Sequence, residues 1–250
     1  MGGFFGAVSA NDCVLDVFYG TDYHSHLGTR RGGMTSYSAE LGFQRNIHSI
    51  ENSPFRTKFE KDVEKMRGNI CIGCISDTDP QPIMVRSKLG LYAVCSIGII
   101  QNAKALSEEL LESGCANFET MSSGNINSGG LIGALIAQKP TFVEGIRYAQ
   151  SKIEGTMSLV IMTEDSIICA RDRAGKLPIL IGKRSDGYCF SFESFAYQKL
   201  GYETCHELKA GEITCLTKDG YEVLYEGTEE MKICTFLWTY YGYPTACYEG

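Results

Sequence analysis

The chain opens with Met1-Gly2-Gly3-Phe4-Phe5-Gly6-Ala7-Val8-Ser9, a glycine-rich apolar stretch that contains no charged residue. A short apolar run of this kind is typical of a strand whose two faces are both covered. These residues also lack the basic region followed by an apolar stretch that marks a signal peptide. The sequence therefore predicts that the protein begins with a buried strand.

The composition is that of a globular chain of ordinary hydrophobicity. Its 250 residues are enough for one large domain or two small ones, and 44% of them are hydrophobic, so a core can be buried. The formal net charge is −7. Nucleic acids and anionic membrane surfaces both require a basic face, so we expect neither as a partner. No apolar run approaches the length of a membrane-spanning helix.

The chain contains eleven cysteines, an odd number, and several of them lie inside apolar runs. Buried free thiols in a reducing cytoplasm explain this pattern better than a disulfide framework does, so we expect a cytoplasmic protein. Cys71 and Cys74 form a CxxC pair within a strand-like segment, where alternation places the two thiols on opposite faces. No second pair follows at a spacing suited to zinc. We therefore predict core cysteines, with no metal site and no cofactor.

Helical patterns occupy the middle of the chain. Asn102 is a candidate N-cap for a helix that ends at Gly114, and a second helix is predicted over 128–138. Thr141 and Glu144 form a capping box that indicates a third helix. The apolar residues expected on the buried faces of these helices are Leu106, Leu110, Leu111, Leu131, Ile132, Leu135, Ile136, Phe142, Ile146, Ala149 and Ile153.

Strand patterns dominate the rest of the chain. The apolar runs 157–163 and 166–171 are separated by Glu164-Asp165, which indicates a hairpin. Further turn sequences at 172–175, 185–187 and 218–220 predict a meander of antiparallel strands. Helices that cover layers of strands give an α+β sandwich.

Several ordered motifs resemble a known family. They are Gln81-Pro82, Arg171-Asp172-Arg173-Ala174-Gly175-Lys176-Leu177-Pro178, Ser191-Phe192-Glu193-Ser194 and Leu208-Lys209-Ala210-Gly211-Glu212. Together with the opening stretch, they resemble the class II glutamine amidotransferase domain found at the N-terminus of amidophosphoribosyltransferases. The resemblance implies the four-layer αββα sandwich of the N-terminal-nucleophile hydrolases. It also implies a glutaminase-like domain over 1–233 and, over 234–250, a junction segment that would lead into a phosphoribosyltransferase domain.

The same resemblance locates the chemistry of glutamine hydrolysis, and most of the expected groups are absent. The family's nucleophile is a cysteine directly after the initiator Met, with its own α-amine as the base. The other groups are an Arg that grips the substrate carboxylate, an Asn side chain and a Gly N–H that stabilise the oxyanion, and an Asp that holds the ammonium. A His-containing loop completes the site. The equivalent positions in this chain are Gly2, Ser76, Ile97, Gly98, Asn127 and His26.

Loss of these groups predicts a domain that has kept the fold and lost glutaminase activity. Ile97 cannot donate a hydrogen bond, and removal of one oxyanion donor alone costs on the order of 10²–10³ in rate. We interpret His26 as a histidine that closes a loop, rather than as a catalytic group or, with His24, as a metal ligand. The leading hypothesis is a structural or regulatory domain in a longer protein whose phosphoribosyltransferase uses free ammonia.

Two other functions stay open at the level of sequence. The first is a stand-alone module that binds a small molecule, or a partner, in the remnant glutamine pocket. The second is an active amidotransferase with a relocated cysteine nucleophile, for which Cys74 and Cys95 are the candidates nearest to the old pocket. We further expect a homo-oligomer, because members of the family assemble in this way.

Overall fold

Two stacked antiparallel sheets form the centre of the protein, whose computed structural model describes residues 2–114, 118 and 124–249. The strands are β1 (Gly2–Ser9), β2 (Arg31–Ser38), β3 (Gly42–Ser49), β4 (Ile70–Ser76), β5 (Ile83–Ser87), β6 (Gly90–Ile100), β7 (Gly155–Met162), β8 (Ile167–Ala170), β9 (Leu180–Arg184), β10 (Gly187–Ser191), β11 (Glu203–Glu207), β12 (Ile213–Leu216) and β13 (Tyr221–Tyr225). The first sheet has the order β11-β9-β10-β1-β4-β2-β3, and the second has the order β13-β12-β8-β7-β6-β5.

Helices cover the outer face of each sheet. They are α1 (Val14–Asp22), α2 (Phe55–Val63), α3 (Ala103–Glu112), α4 (Ser128–Ile136), α5 (Phe142–Lys152) and α6 (Ser194–Gln198). One apolar cluster joins α1, α2 and α6 to the first sheet, a second joins α3, α4 and α5 to the second sheet, and a third fills the space between the sheets. The expected four-layer αββα sandwich is confirmed.

The opening stretch forms the central strand of the first sheet, as expected. All eight residues of β1 are buried, and the strand pairs with β4 on one side and β10 on the other. Side chains of alternate residues enter different layers, with Phe4 between the sheets and Phe5 beneath the helices. The neighbouring strand β4 behaves in the same way, since Cys74 faces the inter-sheet core and Cys71 faces the helices. The predicted opposite orientation of the two thiols is confirmed.

The three predicted central helices are present, with two errors of detail. Thr141 caps α5 by accepting the N–H of Glu144 (3.2 Å), as the capping box predicts. Asn102 precedes α3 but makes no capping bond, because its side chain instead bonds to the backbone at the end of α5. Leu111 was expected to be buried and is 48% exposed. It lies next to the buried Leu110, so the helical period rotates it towards solvent.

Two further expectations about the fold were wrong. Helices α1 and α2 lie in the N-terminal part of the chain, which the sequence patterns had indicated to be mainly strands. The hairpins β7–β8, β9–β10 and β12–β13 do form at the predicted turns. They do not form one meander, however, because β9, β10 and β11 join the first sheet while β7, β8, β12 and β13 join the second.

The Arg171-Asp172 motif stabilises the segment in which the chain passes from the second sheet to the first. The buried guanidinium of Arg171 donates to the carbonyls of Leu208 (2.5 Å) and Gly175 (2.6 Å). The Asp172 carboxylate accepts the N–H groups of Ala174 (3.0 Å) and Leu177 (2.8 Å). These bonds satisfy backbone groups where the chain passes between sheets, so this part of the family resemblance reflects the fold rather than catalysis.

Candidate functional site

The turn that follows β4, residues 76–82, brings the family-equivalent positions together. Ser76 ends the strand, and its hydroxyl accepts the N–H groups of Thr78 and Asp79, both at 3.2 Å. A serine hydroxyl that bonds to backbone two and three residues ahead stabilises a turn. Ser76, which the family resemblance equates with a carboxylate-binding arginine, is therefore a short, neutral side chain whose hydroxyl is hydrogen-bonded to the local backbone.

Gly2 lies directly opposite Ser76 in the pairing of β1 with β4. A Cβ atom added at Gly2 would lie 2.5 Å from the carbonyl oxygen of Ile75, closer than real Cβ contacts allow. A larger residue therefore requires the backbone of β1 or β4 to shift. Gly2 has no side-chain atom that could act as a nucleophile.

Asn127 is the N-cap of α4. Its Oδ1 accepts the N–H of Gly129 (2.8 Å), and its Nδ2 donates to the carbonyl of Pro80 (2.9 Å). The Asp79 carboxylate accepts the N–H of Ser128 (3.3 Å), so two side chains serve the first turn of the helix. Asn127 is 8% exposed. Its amide connects α4 to the 76–82 turn and carries no charge with which to hold an ammonium group.

The oxyanion-equivalent positions lie in β6, beside the same turn. The Gln81 side chain pairs with the backbone of Ser96, accepting its N–H (2.6 Å) and donating to its carbonyl (3.0 Å). Ile97 follows, with its side chain buried between the two sheets. Gly98 has φ +140°, and a Cβ there would lie 2.0 Å from the carbonyl oxygen of Thr156. Gly98, which the family resemblance equates with a backbone donor, therefore lies at a position that excludes other residues.

The loop 23–30 leads into β2, the strand that pairs with β4 on the side away from β1. The backbone N–H of Thr29 donates to the Asp77 carboxylate (2.7 Å). His26 lies on this loop, with Nδ1 3.1 Å from the Tyr23 carbonyl and Nε2 2.7 Å from Oε2 of Glu193. The Nδ1 contact closes the loop as expected from the sequence, while the contact with Glu193 was not anticipated.

Buried and hydrogen-bonded groups set the electrostatics of this region. Burial raises the pKa of Glu193, but the contacts from His26 and Tyr248 outweigh burial and hold that pKa below its usual value. Burial also opposes ionisation of Asp77, yet the N–H of Thr29 and nearby positive charge lower its pKa as well. Two ionised carboxylates therefore border the loop 23–30, and each is held by hydrogen-bond donors or positive charge beside it.

The two candidate replacement nucleophiles lie in the core. Cys74 and Cys95 belong to the cluster between the sheets and are 2% and 1% exposed. Burial, followed by contact with Cys74, raises the pKa of the Cys95 thiol well above its ordinary value. A thiol that stays protonated is a poor nucleophile.

Histidines at this site already have partners. The Nδ1 of His24 lies 2.7 Å from the Gly20 carbonyl, and its Nε2 lies 3.2 Å from the Ser191 hydroxyl. Across residues 2–114, 118 and 124–249, no three His, Cys, Asp or Glu side chains are grouped so as to hold a metal ion. Over the same residues, no helix is both long enough and apolar enough to span a membrane.

Residues that sequence reasoning missed include Asp79 and Glu193. In the sequence, Glu193 and Gln81 are recognisable only as members of the family motifs that contain them. Their side chains contact segments distant in sequence, namely Ser128, Ser96 and the C-terminal segment, so no local pattern could have assigned these contacts.

Comparison with known proteins agrees with this fold. The family model described as a glutamine amidotransferase domain matches residues 66–198, just over half of the chain. The chain belongs to the glutamine amidotransferase domain family. Among curated relatives, this amidotransferase domain is 25% identical to the amidophosphoribosyltransferase of Archaeoglobus fulgidus over 244 residues, covering 94% of this chain and 52% of the relative. The chain thus spans about half the length of the curated relatives it matches.

Solved structures show the same fold. The glutamine phosphoribosylpyrophosphate amidotransferase of Bacillus subtilis, solved with ADP and GMP, superposes with a TM-score of 0.85 at 23% identity, covering 98% of this chain and 54% of that one. A class II glutamine aminotransferase domain protein from Silicibacter pomeroyi superposes with a TM-score of 0.60 at 11% identity, covering 90% and 99% of the two chains. The amidotransferase fold is therefore retained across nearly the whole chain.

Proposed function

We propose that this chain is an amidophosphoribosyltransferase-like glutamine amidotransferase domain that does not hydrolyse glutamine. The observation that carries the proposal is Gly2, which places no nucleophile at the family's N-terminal cysteine position and which the neighbouring Ile75 carbonyl crowds to within 2.5 Å of any added Cβ. Without a thiol, no acyl-enzyme can form on β1 by the family's mechanism.

The other substituted positions support the same conclusion. Ser76 and Asn127 carry no charge, and both are engaged in hydrogen bonds that shape a turn and a helix start. Ile97 offers no hydrogen-bond donor where a tetrahedral oxyanion would need one. Restoring glutaminase activity would therefore require changes at several positions, and each change would disturb a contact on which the fold now depends.

A relocated cysteine has less support. Cys95 is the candidate closest to the oxyanion-equivalent Gly98, but its thiol is buried and its pKa is raised. It is also not N-terminal, so it lacks the α-amine that acts as the base in this family.

We propose a structural or regulatory role for the domain, next to a phosphoribosyltransferase that takes its nitrogen from free ammonia. This role is supported by the resemblance to amidophosphoribosyltransferases, about half of whose length this chain spans. Residues 234–250 would then lead towards that second domain. The domain would then contribute a contact surface to the neighbouring phosphoribosyltransferase domain and would not itself catalyse a reaction.

The deciding experiment is glutamate release from L-glutamine by the purified chain, with an active relative assayed in parallel. We expect no release above buffer. Gly2→Cys is the informative variant, and we expect it to stay inactive because the side chain lacks room and the other groups remain absent.

Clear turnover by the unmodified chain would refute the proposal. If thiol alkylation and Cys95→Ser both abolished that turnover, Cys95 would be identified as a relocated nucleophile, and the domain would be an active amidotransferase. Activity gained by Gly2→Cys alone would show that only the nucleophile is missing, and that Ser76, Ile97 and Asn127 still permit catalysis.

A further inference from the structure

The C-terminal segment 243–249 folds back onto the start of α6. The backbone N–H of Tyr243 and the hydroxyl of Tyr248 both donate to Oε1 of Glu193, at 2.9 and 2.5 Å. The backbone N–H of Cys247 donates to the Ser194 hydroxyl (2.7 Å). The ring of Tyr243 stacks on Phe195, with centroids 3.9 Å apart. Three consecutive residues at the start of α6 therefore receive the segment.

Glu193 also contacts the loop 23–30. Its Oε2 lies 2.7 Å from Nε2 of His26, so the two oxygens of one carboxylate face two different segments. The side chain of Glu193 is fully buried, while that of His26 is 28% exposed. The His26 ring also lies 5.7 Å from the Tyr243 ring and 5.9 Å from the Phe195 ring, centroid to centroid. The loop and the C-terminal segment thus meet at Glu193 and pack against each other.

A buried carboxylate is stable only while its oxygens keep their partners. If the segment moves away, Oε1 loses two donors and the carboxylate becomes partly exposed to solvent. Its attraction for His26 then weakens, because water screens the charge. Movement of the loop has the reciprocal effect on Tyr243 and Tyr248. Coupling between two sites through a shared group is reciprocal by thermodynamic necessity.

We infer that Glu193 is a latch that couples the position of the C-terminal segment 243–249 to that of the loop 23–30, one border of the family-equivalent site. This inference is independent of whether the domain hydrolyses glutamine. It requires only that a displacement of one segment loosens the other.

The far end of the segment has anchors of its own. Glu249 forms an ion pair with the buried Arg171, and its N–H donates to Oε1 of Glu207 (2.9 Å). Breaking the latch should therefore release residues 243–248 while residue 249 stays attached. Residues 243–248 would then move away from Glu193, while Glu249 remained bound to Arg171 and Glu207.

Hydrogen exchange measured by mass spectrometry on the full chain tests the latch from both sides. Tyr248→Phe removes one donor to Glu193 and should accelerate exchange in the loop 23–30 as well as in 243–248. His26→Ala should accelerate exchange in 243–248 as well as in its own loop. The loss of the Tyr248 hydrogen bond or of the His26 contact with the buried carboxylate predicts rates raised about tenfold or more in the segment that was not mutated.

Glu212→Gln is the matched control. Glu212 is also a buried carboxylate paired with a histidine, His206 at 2.6 Å, and it accepts the Thr214 hydroxyl at 2.6 Å. The Glu212→Gln substitution should leave hydrogen exchange unchanged both in the loop 23–30 and in residues 243–248. Glu193→Gln should loosen both, and if that variant unfolds, the two single-sided variants still decide. The inference is overturned if Tyr248→Phe loosens only the C-terminal segment, or if His26→Ala loosens only the loop.

Discussion

His24 should make the protein lose stability as the pH falls from about 6.5 to 4. Burial lowers the pKa of this histidine from its usual value to about 4, and although Glu193 and the Gly20 carbonyl oppose the shift, burial prevails. The side chain is fully buried. The Gly20 carbonyl can only accept a hydrogen bond, so the neutral ring carries its proton on Nδ1 and leaves Nε2 facing Ser191.

The sign and size follow from proton linkage. Between the two pKa values the unfolded chain binds a proton that the folded protein does not, so stability rises with pH. The contribution of His24 is fully present above its unfolded pKa and is lost as the pH falls towards its folded pKa. With one pKa unit equal to about 1.4 kcal/mol, the loss between pH 8 and pH 4.5 amounts to about 2.5 kcal/mol.

Urea denaturation at a series of pH values, from 8 to 4.5, measures this slope. His24→Asn retains an N–H that can donate to the Gly20 carbonyl but cannot be protonated, so the difference between wild type and variant should shrink by about 2.5 kcal/mol across the range. His206→Asn is the control, because it removes a histidine outside this pocket and leaves His24 in place. Parallel pH profiles for wild type and His24→Asn would refute the reasoning.

Two further predictions concern packing and thiol access. Gly33→Ala should lower the free energy of unfolding by roughly 3 kcal/mol or more, or abolish soluble expression, because its Cβ would lie 1.6 Å from the Gln81 carbonyl oxygen. Gly130→Ala, in α4 with no atom within 4 Å of its Cβ, should instead raise the free energy of unfolding measured in urea by about 0.5–1 kcal/mol. In native labelling followed by mass spectrometry, the exposed Cys247 should react about 10³-fold or more faster than the buried Cys95, and equal rates would contradict the burial described for Cys95.

Local patterns predicted those parts of the fold that local interactions determine. The Thr141 cap, the Glu164-Asp165 hairpin and the buried first strand all depend on residues within a few positions of each other. Helix α2 had a comparable signal, since Phe55, Phe59 and Val63 recur at helical spacing and all are buried. This spacing was sufficient to predict α2 from the sequence.

Other features required knowledge of which segments meet. The sequence marks a turn at 172–175, but not that the chain leaves one sheet there and enters the other. That crossing depends on Arg171 reaching the carbonyl of Leu208, a residue 37 positions away. The role of Asn127 illustrates the same limit. The family resemblance indicated a pocket position, while the structure adds a helix cap that is tied to Pro80.

Under the proposed function, the family-equivalent positions can be compared by the contacts that a catalytic side chain would have to displace. A position that has only lost its catalytic side chain can regain it by one mutation. Ser76 and Asn127 have hydrogen bonds to the turn and to α4, and an arginine or a charged aspartate there would have to replace those contacts. Gly2 is enclosed by the β4 backbone. Introducing a catalytic side chain at any of these positions would therefore disturb contacts that the fold uses, so we expect single substitutions to lower stability before they add activity.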